Sequence, residues 1–478
     1  MEWADGGPDL LVTLDRGAGL LRIQIQDQLR AAIRERRLGA GERMPSTRRL
    51  AELLGVSRGT VVDVYEQLLA EGYVESAVGS GTRVATMPDG GPARQAPGVA
   101  TTSSSKPTVA DFEYGIPDLG SVPLTAWSWA VSESTRTLPT AELGDEDPAG
   151  SRHLREVVTA YHRRVRAGLA VAEDALVVSG FRQGLAFALA TLAQDGFQRI
   201  ALEDPGPREH DVIARRAGLD AVPVPVDDHG LDVDRLAETG ARAVLVTPAH
   251  QCPTGVALSP SRRRDLVAWA DEVDGVILED DYDAEFRYDR QPVGSLQGLN
   301  PARVIALGSV SKTLAPAIRL GWVLAPARFV ATIVEEKRLS SRGAPGLDQE
   351  ALALLMETGR FDRHLRRVRD IYRARRDVLA AEVDLAFGPG RLQGLAAGCH
   401  ALLLLPDGTS ESAVVETAAT MGVRVNGLGH YRFVAVNADA YSDPRPPALV
   451  LGFGNVSKHQ ISRGIRKLAK AVDRQTRN

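Results

Sequence analysis

A chain of 478 residues, 44% hydrophobic and 25% charged, is long enough for two or three domains with buried cores, and its net charge of −4 excludes a general polyanion binder. Two cysteines, Cys252 and Cys399, exclude a disulfide framework and suit a reducing compartment. The N-terminus lacks the basic and apolar regions of a signal peptide, and no apolar run approaches the ~18 residues that span a bilayer, so a cytoplasmic protein with no membrane partner is expected.

In chain order, Ile23, Ile25, Leu29, Ala32 and Ile33 recur at helical spacing and predict a first helix broken at Gly39 and Gly41. Pro45-Ser46-Thr47 starts a second, with Ser46 or Thr47 as N-cap; it carries Leu50, Leu53 and Leu54 and closes at Gly55. Ser57 caps a third, which carries Val61, Val64, Leu68 and Leu69 and ends at Gly72. Tyr73–Ser76 and Thr82–Ala85, around Gly79-Ser80-Gly81, predict a two-stranded wing. The second and third helices, joined at Gly55-Val56, form a helix-turn-helix. Ten arginines against four acids between 16 and 60 leave six net positive charges there, the electrostatic footprint of duplex DNA. In this motif the start of the second helix enters the major groove, which puts Ser57, Arg58 and Thr60 nearest the bases. Ser46, Arg48 and Arg49 are placed for phosphates, and the wing at Gly81 for the backbone or minor groove.

Residues 88–109, rich in Pro, Gly, Ser and Thr, predict a flexible linker between a winged helix-turn-helix head, 1–87, and a block over 110–478. In that block the apolar runs Ala175–Val178, Arg199–Leu202, Ala243–Val246, Val276–Leu278 and Val304–Leu307 alternate with helical stretches, the pattern of an α/β domain with a largely parallel sheet. From about 360, a long helix (Leu365–Asp384) and strands at His400–Leu405 and Ala448–Phe453 predict a smaller α+β lobe.

Three stretches carry chemistry. Only six of the 57 basic residues are lysines, at 106, 312, 337, 458, 467 and 470, so generic positive charge is written as arginine and an interior lysine suggests a need for an amine. Lys312 lies in Ser309–Trp322, SVSKTLAPAIRLGW, just after a strand, where α/β sheets place ligands. A Schiff-base lysine needs an anion pocket beside it, and Ser309, Ser311 and Arg319 can hold a phosphate. Leu278–Phe286, LEDDYDAEF, offers Asp280 for a pyridinium nitrogen and Tyr282 for a ring hydroxyl, with Glu279, Asp281 and Asp283 as competing acids. Ser179–Gly184, SGFRQG, opens a helix whose first N–H groups can bind phosphate, with Ser179, Gly180, Phe181, Arg182 and Gln183 lining the turn. No metal site is predicted.

The stretch Arg16–Ala85, containing LGAGERMPSTRRLAELLGVSRGTVVDVYEQLLAEGYVESAVGSGTRVA, closely resembles the GntR winged helices. The later elements, in this order from about 110 to 475, resemble the fold-type I aminotransferases, and the whole chain resembles the MocR/GabR-type transcription regulators. The resemblance implies pyridoxal phosphate on Lys312, Asp280 on its ring nitrogen, Tyr282 near its hydroxyl, and Ser309 and Arg319 near its phosphate. It further implies a double-stranded operator as partner and a head-to-tail homodimer. An effector carboxylate, from a small amino compound, would take an arginine of the small lobe, Arg445 or Arg432. Three positions depart from the aminotransferase pattern: Cys252 stands where Asn is usual, Pro207 where a stacking aromatic is usual, and Asp145 near where a tyrosine precedes Asp147-Pro148-Ala149-Gly150. The competing reading is a working aminotransferase with an accessory DNA-binding head; the departures favour a sensor without turnover.

Overall fold

The computed structural model describes residues 12–17, 19–77, 81–86, 108–144, 147–288, 293–341, 343–433 and 446–476. They fall into two units, 1–104 and 105–478. Gly79, Ser80 and most of the expected linker, 88–107, lie outside the described residues.

The first unit holds α1 (Leu21–Arg34), α2 (Thr47–Leu54), α3 (Arg58–Ala70) and an antiparallel pair, β1 (Val74–Ala77) and β2 (Gly81–Val84). The Ser46 hydroxyl accepts the Arg49 N–H at 3.2 Å and the Ser57 hydroxyl accepts the Thr60 N–H at 3.1 Å, so both helices of the motif are capped by side chains. Gly55, at φ 62°, turns the chain between them. Ile25, Leu29, Leu50, Val61, Val64 and Leu68 bury completely between the helices. Ser57→Ala removes one cap and is expected to cost the head ~1 kcal/mol, read as a lower midpoint of its calorimetric transition.

Three details differ from expectation. α1 stops at Arg34 rather than at Gly39, because Arg36 takes a left-handed φ of 58°. Ile23 is 40% exposed: it lies roughly 200° around the helix from Ile25, off the apolar face. The wing gains a third short edge, since Met44 N–H donates to Thr82 O at 2.8 Å and Val84 N–H to Glu42 O at 2.9 Å.

The second unit begins with β3 (Ala110–Asp111), α4 (Leu124–Thr137) and α5 (Arg152–Arg166). It continues through β4 (Ala175–Val178), α6 (Phe181–Gln194), β5 (Arg199–Asp204), α7 (Glu209–Arg216), β6 (Asp220–Asp227), β7 (Gly230–Leu231), α8 (Val233–Glu238) and β8 (Ala243–Val246). Then come α9 (Pro260–Glu272), β9 (Val276–Asp281), β10 (Val304–Ser309), β11 (Gly321–Leu324), α10 (Ala327–Ser341), α11 (Gly346–Glu357) and α12 (Arg360–Phe387). The small lobe adds β12 (Leu392–Gln393), β13 (His400–Leu404), α13 (Glu411–Thr420), β14 (Val423–Arg424), β15 (Asn426–Gly427), β16 (Ala448–Gly452) and α14 (Lys458–Thr476).

The main sheet runs β4-β11-β10-β9-β8-β5-β6-β7, parallel except for β11 and β7. Its strands are apolar on both faces because both are covered. Leu176, Val178, Leu202, Leu245, Leu278 and Leu307 pack on one side with residues of α6 and α10, while Ala201, Val244, Val246 and Ile277 face α8 and α9 on the other. The lobe is an antiparallel sheet, β12-β13-β16-β15. β3 pairs in parallel with β14, so the chain entering this unit is first built into the lobe. Among the described residues no helix is long and apolar enough to cross a membrane.

Candidate functional site

The carboxyl ends of β4, β10, β9, β8 and β5 lie on one edge of the sheet, the edge where α/β proteins bind ligands. Ser179-Gly180, Asp204, Thr247, Asp280 and Ser309–Lys312 therefore converge from five strands. Lys312 is partly buried; its Nζ donates to the Gly115 carbonyl and stands 5.5 Å from the Tyr114 ring centroid. Asp280 is buried, and among the described residues its carboxylate makes no hydrogen bond or ion pair. Burial first, then Asp281 and Asp283, push its pKa well up, while Lys312 pulls it down. A cationic donor placed there would restore the ionised form, which suits a protonated ring nitrogen.

The anion side is assembled from three segments. The Ser309 hydroxyl lies 2.9 Å from the Ser311 hydroxyl and accepts the Ser311 N–H at 3.1 Å. Arg319, at φ 55°, donates to the Ser179 carbonyl. Gly180, at φ 92°, caps α6 in a backbone conformation that favours glycine, and it lies against the Arg319 guanidinium, which a Cβ there would meet at 3.5 Å. The Ser179 N–H is taken by Gln183 Oε1 at 2.6 Å. These groups fit a phosphate.

Several expected contacts fall elsewhere. The Arg182 side chain pairs with Glu209 of α7, leaving its backbone at the turn. The Tyr282 hydroxyl donates to the His250 carbonyl at 2.7 Å, and its ring meets Tyr114 edge-on at 6.2 Å. Arg432 borders a cavity beside Pro207. Arg445 lies outside the described residues, as does Asp145. Cys252 is buried with Tyr282 and Tyr431, and burial pushes its thiol far up, so it stays protonated.

Sequence reasoning missed three networks here. Glu203 accepts the Thr247 hydroxyl at 2.6 Å, and Gln251 Nε2 donates to Pro205 O at 2.8 Å, bracing the turns after β5 and β8. Burial pushes Glu203 up to about 7. His250 Nδ1 meets Asp283 Oδ2 at 2.8 Å, and the His400 ring from the lobe lies 4.5 Å from that of His250. Ligand atoms of His250, Asp283 and His400 lie within 4.8 Å of one another, but Arg376 and Arg287 near His250 and Lys312 near His400 oppose a further cation. The group instead seams lobe to sheet: a Cβ at Gly398 would lie 2.3 Å from both Asp283 Oδ2 and His250 Nδ1. Third, Arg166 pairs with Asp281 at 2.6 Å, buried beside Glu279 and Glu285. The first two networks draw on residues far apart in sequence; LEDDYDAEF, with five acids in nine residues, was the signal for the third.

In the head, internal contacts consume part of the basic cluster. Arg16 donates to Leu54 O and Gly55 O, Arg30 holds Glu71 and Asp27, Arg34 lies over Tyr73, and Arg37 pairs with Glu35. Arg48, Arg49 and Arg58 are exposed at the starts of α2 and α3, with Arg48 and Arg49 in loose pairs with Glu52 at 3.5 and 3.8 Å. Thr60 is partly buried, its hydroxyl 2.8 Å from that of Ser57. Arg43, one of the ten clustered arginines, and Arg83, which the sequence did not single out, sit directly opposite each other on antiparallel segments at the wing, beside Gly81. Like charges so placed repel, and a polyanion would relieve them.

Comparison with known proteins matches two family models: bacterial regulatory proteins, gntR family, over residues 21–84, and aminotransferase class I and II over 122–427. The chain is 33% identical over 455 residues to the HTH-type pyridoxine biosynthesis transcriptional regulator PdxR of Corynebacterium glutamicum, covering 94% of this chain and 95% of that one. It is 29% identical to the probable rhizopine catabolism regulatory protein MocR of Rhizobium meliloti, covering 96% of each. Among solved structures it is similar in fold to the kynurenine aminotransferase of Pyrococcus horikoshii in complex with PMP (TM-score 0.69, 22% identity, 77% of this chain and 92% of that one). It is likewise similar to the alpha-aminoadipate aminotransferase of Thermus thermophilus complexed with N-(5'-phosphopyridoxyl)-L-leucine (TM-score 0.66, 24% identity, 77% and 92%).

Proposed function

Because the chain belongs to the MocR-type transcriptional regulators, in which a gntR-family head precedes a class I and II aminotransferase domain, we propose that it senses pyridoxal phosphate, or an amino compound reacting with it, at Lys312 and answers by binding an operator. The observation that carries the reading is the buried, unpartnered carboxylate of Asp280 near the Lys312 amine, with an anion cradle at Gly180 and Arg319. When bound, pyridoxal phosphate supplies an electrophilic carbonyl and a pyridinium electron sink. Lys312 would supply the amine, and Asp280 would hold a proton on the ring nitrogen. Ser309, Ser311, Arg319 and the Ser179–Phe181 turn would hold the phosphate, and Tyr282, whose hydroxyl now donates to the His250 carbonyl, would turn that hydroxyl to the ring hydroxyl. Arg432 or Arg445 would take an effector carboxylate. The relatives' names point to vitamin B6 or amine metabolism as the regulated process. The test is the visible absorbance of the full chain with pyridoxal phosphate, followed by borohydride and peptide mapping. A reduced adduct on Lys312 supports the reading; no adduct defeats it.

On the DNA side, Ser57, Arg58 and Thr60 would face bases, and Ser46, Arg48, Arg49, Gly81, Arg43 and Arg83 the backbone. We further propose a head-to-tail homodimer on a two-part operator, with 88–109 as the linker that lets the heads move. Arg58→Ala is expected to weaken specific operator binding by ~1–3 kcal/mol and to relax sequence preference. Affinity should fall steeply with salt. A flat salt response or an unchanged operator titration would contradict these roles.

A further inference from the structure

Pro207 follows the Glu203-Asp204-Pro205-Gly206 turn where a stacking ring was expected, and proline offers no π face. A cavity of about 170 Å³ opens beside that turn, bounded by Glu203, Pro207, His210, Leu245, Thr247 and Phe433. It lies on the Asp280 side of the sheet. Leu245 and Leu278 share one apolar face, and Thr247 and Asp280 follow each by two residues, so all four point the same way.

His210, in the first turn of α7, lines this cavity. Behind it lies Phe181, with centroids 5.6 Å apart and planes tilted by 51°. Phe181 opens α6 next to Gly180, so the two rings run from the anion cradle to the cavity wall. The adjoining residues form their own exposed pair, Arg182 with Glu209, which links the starts of α6 and α7.

We propose that His210, backed by Phe181, is the positioning residue that covers one face of the pyridine ring of pyridoxal phosphate in place of the aromatic missing at Pro207. This rests on the cofactor reading of the Lys312 site. Burial, then the Arg182 charge, hold the imidazole down to about 4, so it is neutral near pH 7 and does not repel a protonated ring nitrogen. Phe433 borders the same cavity but is fixed as a wall: its N–H donates to Asp204 at 3.0 Å and its ring packs on the sheet core.

The experiment titrates pyridoxal phosphate into the full-length wild type, His210→Ala, His210→Gln and His210→Phe, reading absorbance, with cofactor-free thermal midpoints as the folding control. Ala and Gln are expected to raise the cofactor Kd about tenfold, the upper range for losing an aromatic pair. His210→Phe should restore it to within about threefold, since it replaces one ring by another. Adding Pro207→Tyr to His210→Ala should also recover binding, a rescue no purely structural role explains. Wild-type affinity in His210→Ala or His210→Gln, or a His210→Phe variant as weak as these, overturns the proposal. A wild type that forms no reducible adduct on Lys312 defeats the underlying site reading instead, which is a separate result.

Discussion

Lys312→Ala should lose the borohydride-reducible adduct completely while binding operator DNA as the wild type does. The amine at 312 is the one that the end of β10 delivers to the cradle. Of the other lysines among the described residues, Lys337 is buried in α10, and Lys458, Lys467 and Lys470 lie in α14, where Lys467 Nζ donates to Met421 O at 2.7 Å, so none follows a strand of the main sheet. Asp280, Ser309, Ser311 and Arg319 survive the substitution, so a weaker, non-covalent association with the cofactor should persist and be visible as unreduced, dialysable absorbance. The head folds on its own core, and Ser46, Ser57 and Arg58 belong to it. Operator affinity measured without cofactor should thus be unaffected. Adduct formation elsewhere in Lys312→Ala would refute the assignment, and a collapse of operator binding without cofactor would refute the separation of roles.

Arg166→Met is expected to destabilise the second unit by ~3–5 kcal/mol, because it leaves a buried charge uncompensated. The Arg166 side chain is 2% exposed, its Nε meets Asp281 at 2.6 Å, and its guanidinium also donates to Val293 O. Glu279 and Glu285 lie close by, both pushed up by burial, Glu285 to about 7. Urea denaturation at pH 7 reads the loss. The deficit should shrink toward pH 5: acids whose folded pKa exceeds the unfolded value bind more protons when folded, so their contribution falls as pH rises through that window. Adding Asp281→Leu should recover much of the stability, since replacing both partners removes the unpaired charge. A loss under ~1 kcal/mol would show that the pair does not pin α5 to β9.

Much of this architecture was legible because its signals are local. Ser46 and Ser57 cap where their hydroxyls precede apolar periodicity, and Gly55 turns where helix and glycine meet. The strand cores were read correctly, but β5, β9 and β10 run on to Asp204, Asp281 and Ser309. Apolar runs stop at the first polar residue, while the ladder does not: Glu203 pairs with Val224 and Asp281 with Gly308. That hidden extension is what carries the site's acids into the sheet's edge. β11, lying antiparallel between β4 and β10, could not be foreseen, because insertion order is decided by packing rather than by any local pattern. The same holds for His250, Asp283 and His400, joined across 33 residues in one contact and meeting the lobe in another. The partner of Arg182 was not legible, because Glu209 lies on the neighbouring helix and no local pattern in the turn names it.

The peptide emerging from the head side has an unusual attachment. Val109 N–H donates to Gly422 O, β3 lies along β14, and a few residues later the Gly115 carbonyl receives the Lys312 amine. From Ala110 to Gly115 the chain spans at most ~20 Å. The segment that leads into the second unit is thus fastened to the lobe and then looped over Lys312, like a cord passed under a latch. Any group that claims the Lys312 amine must first take it from that cord.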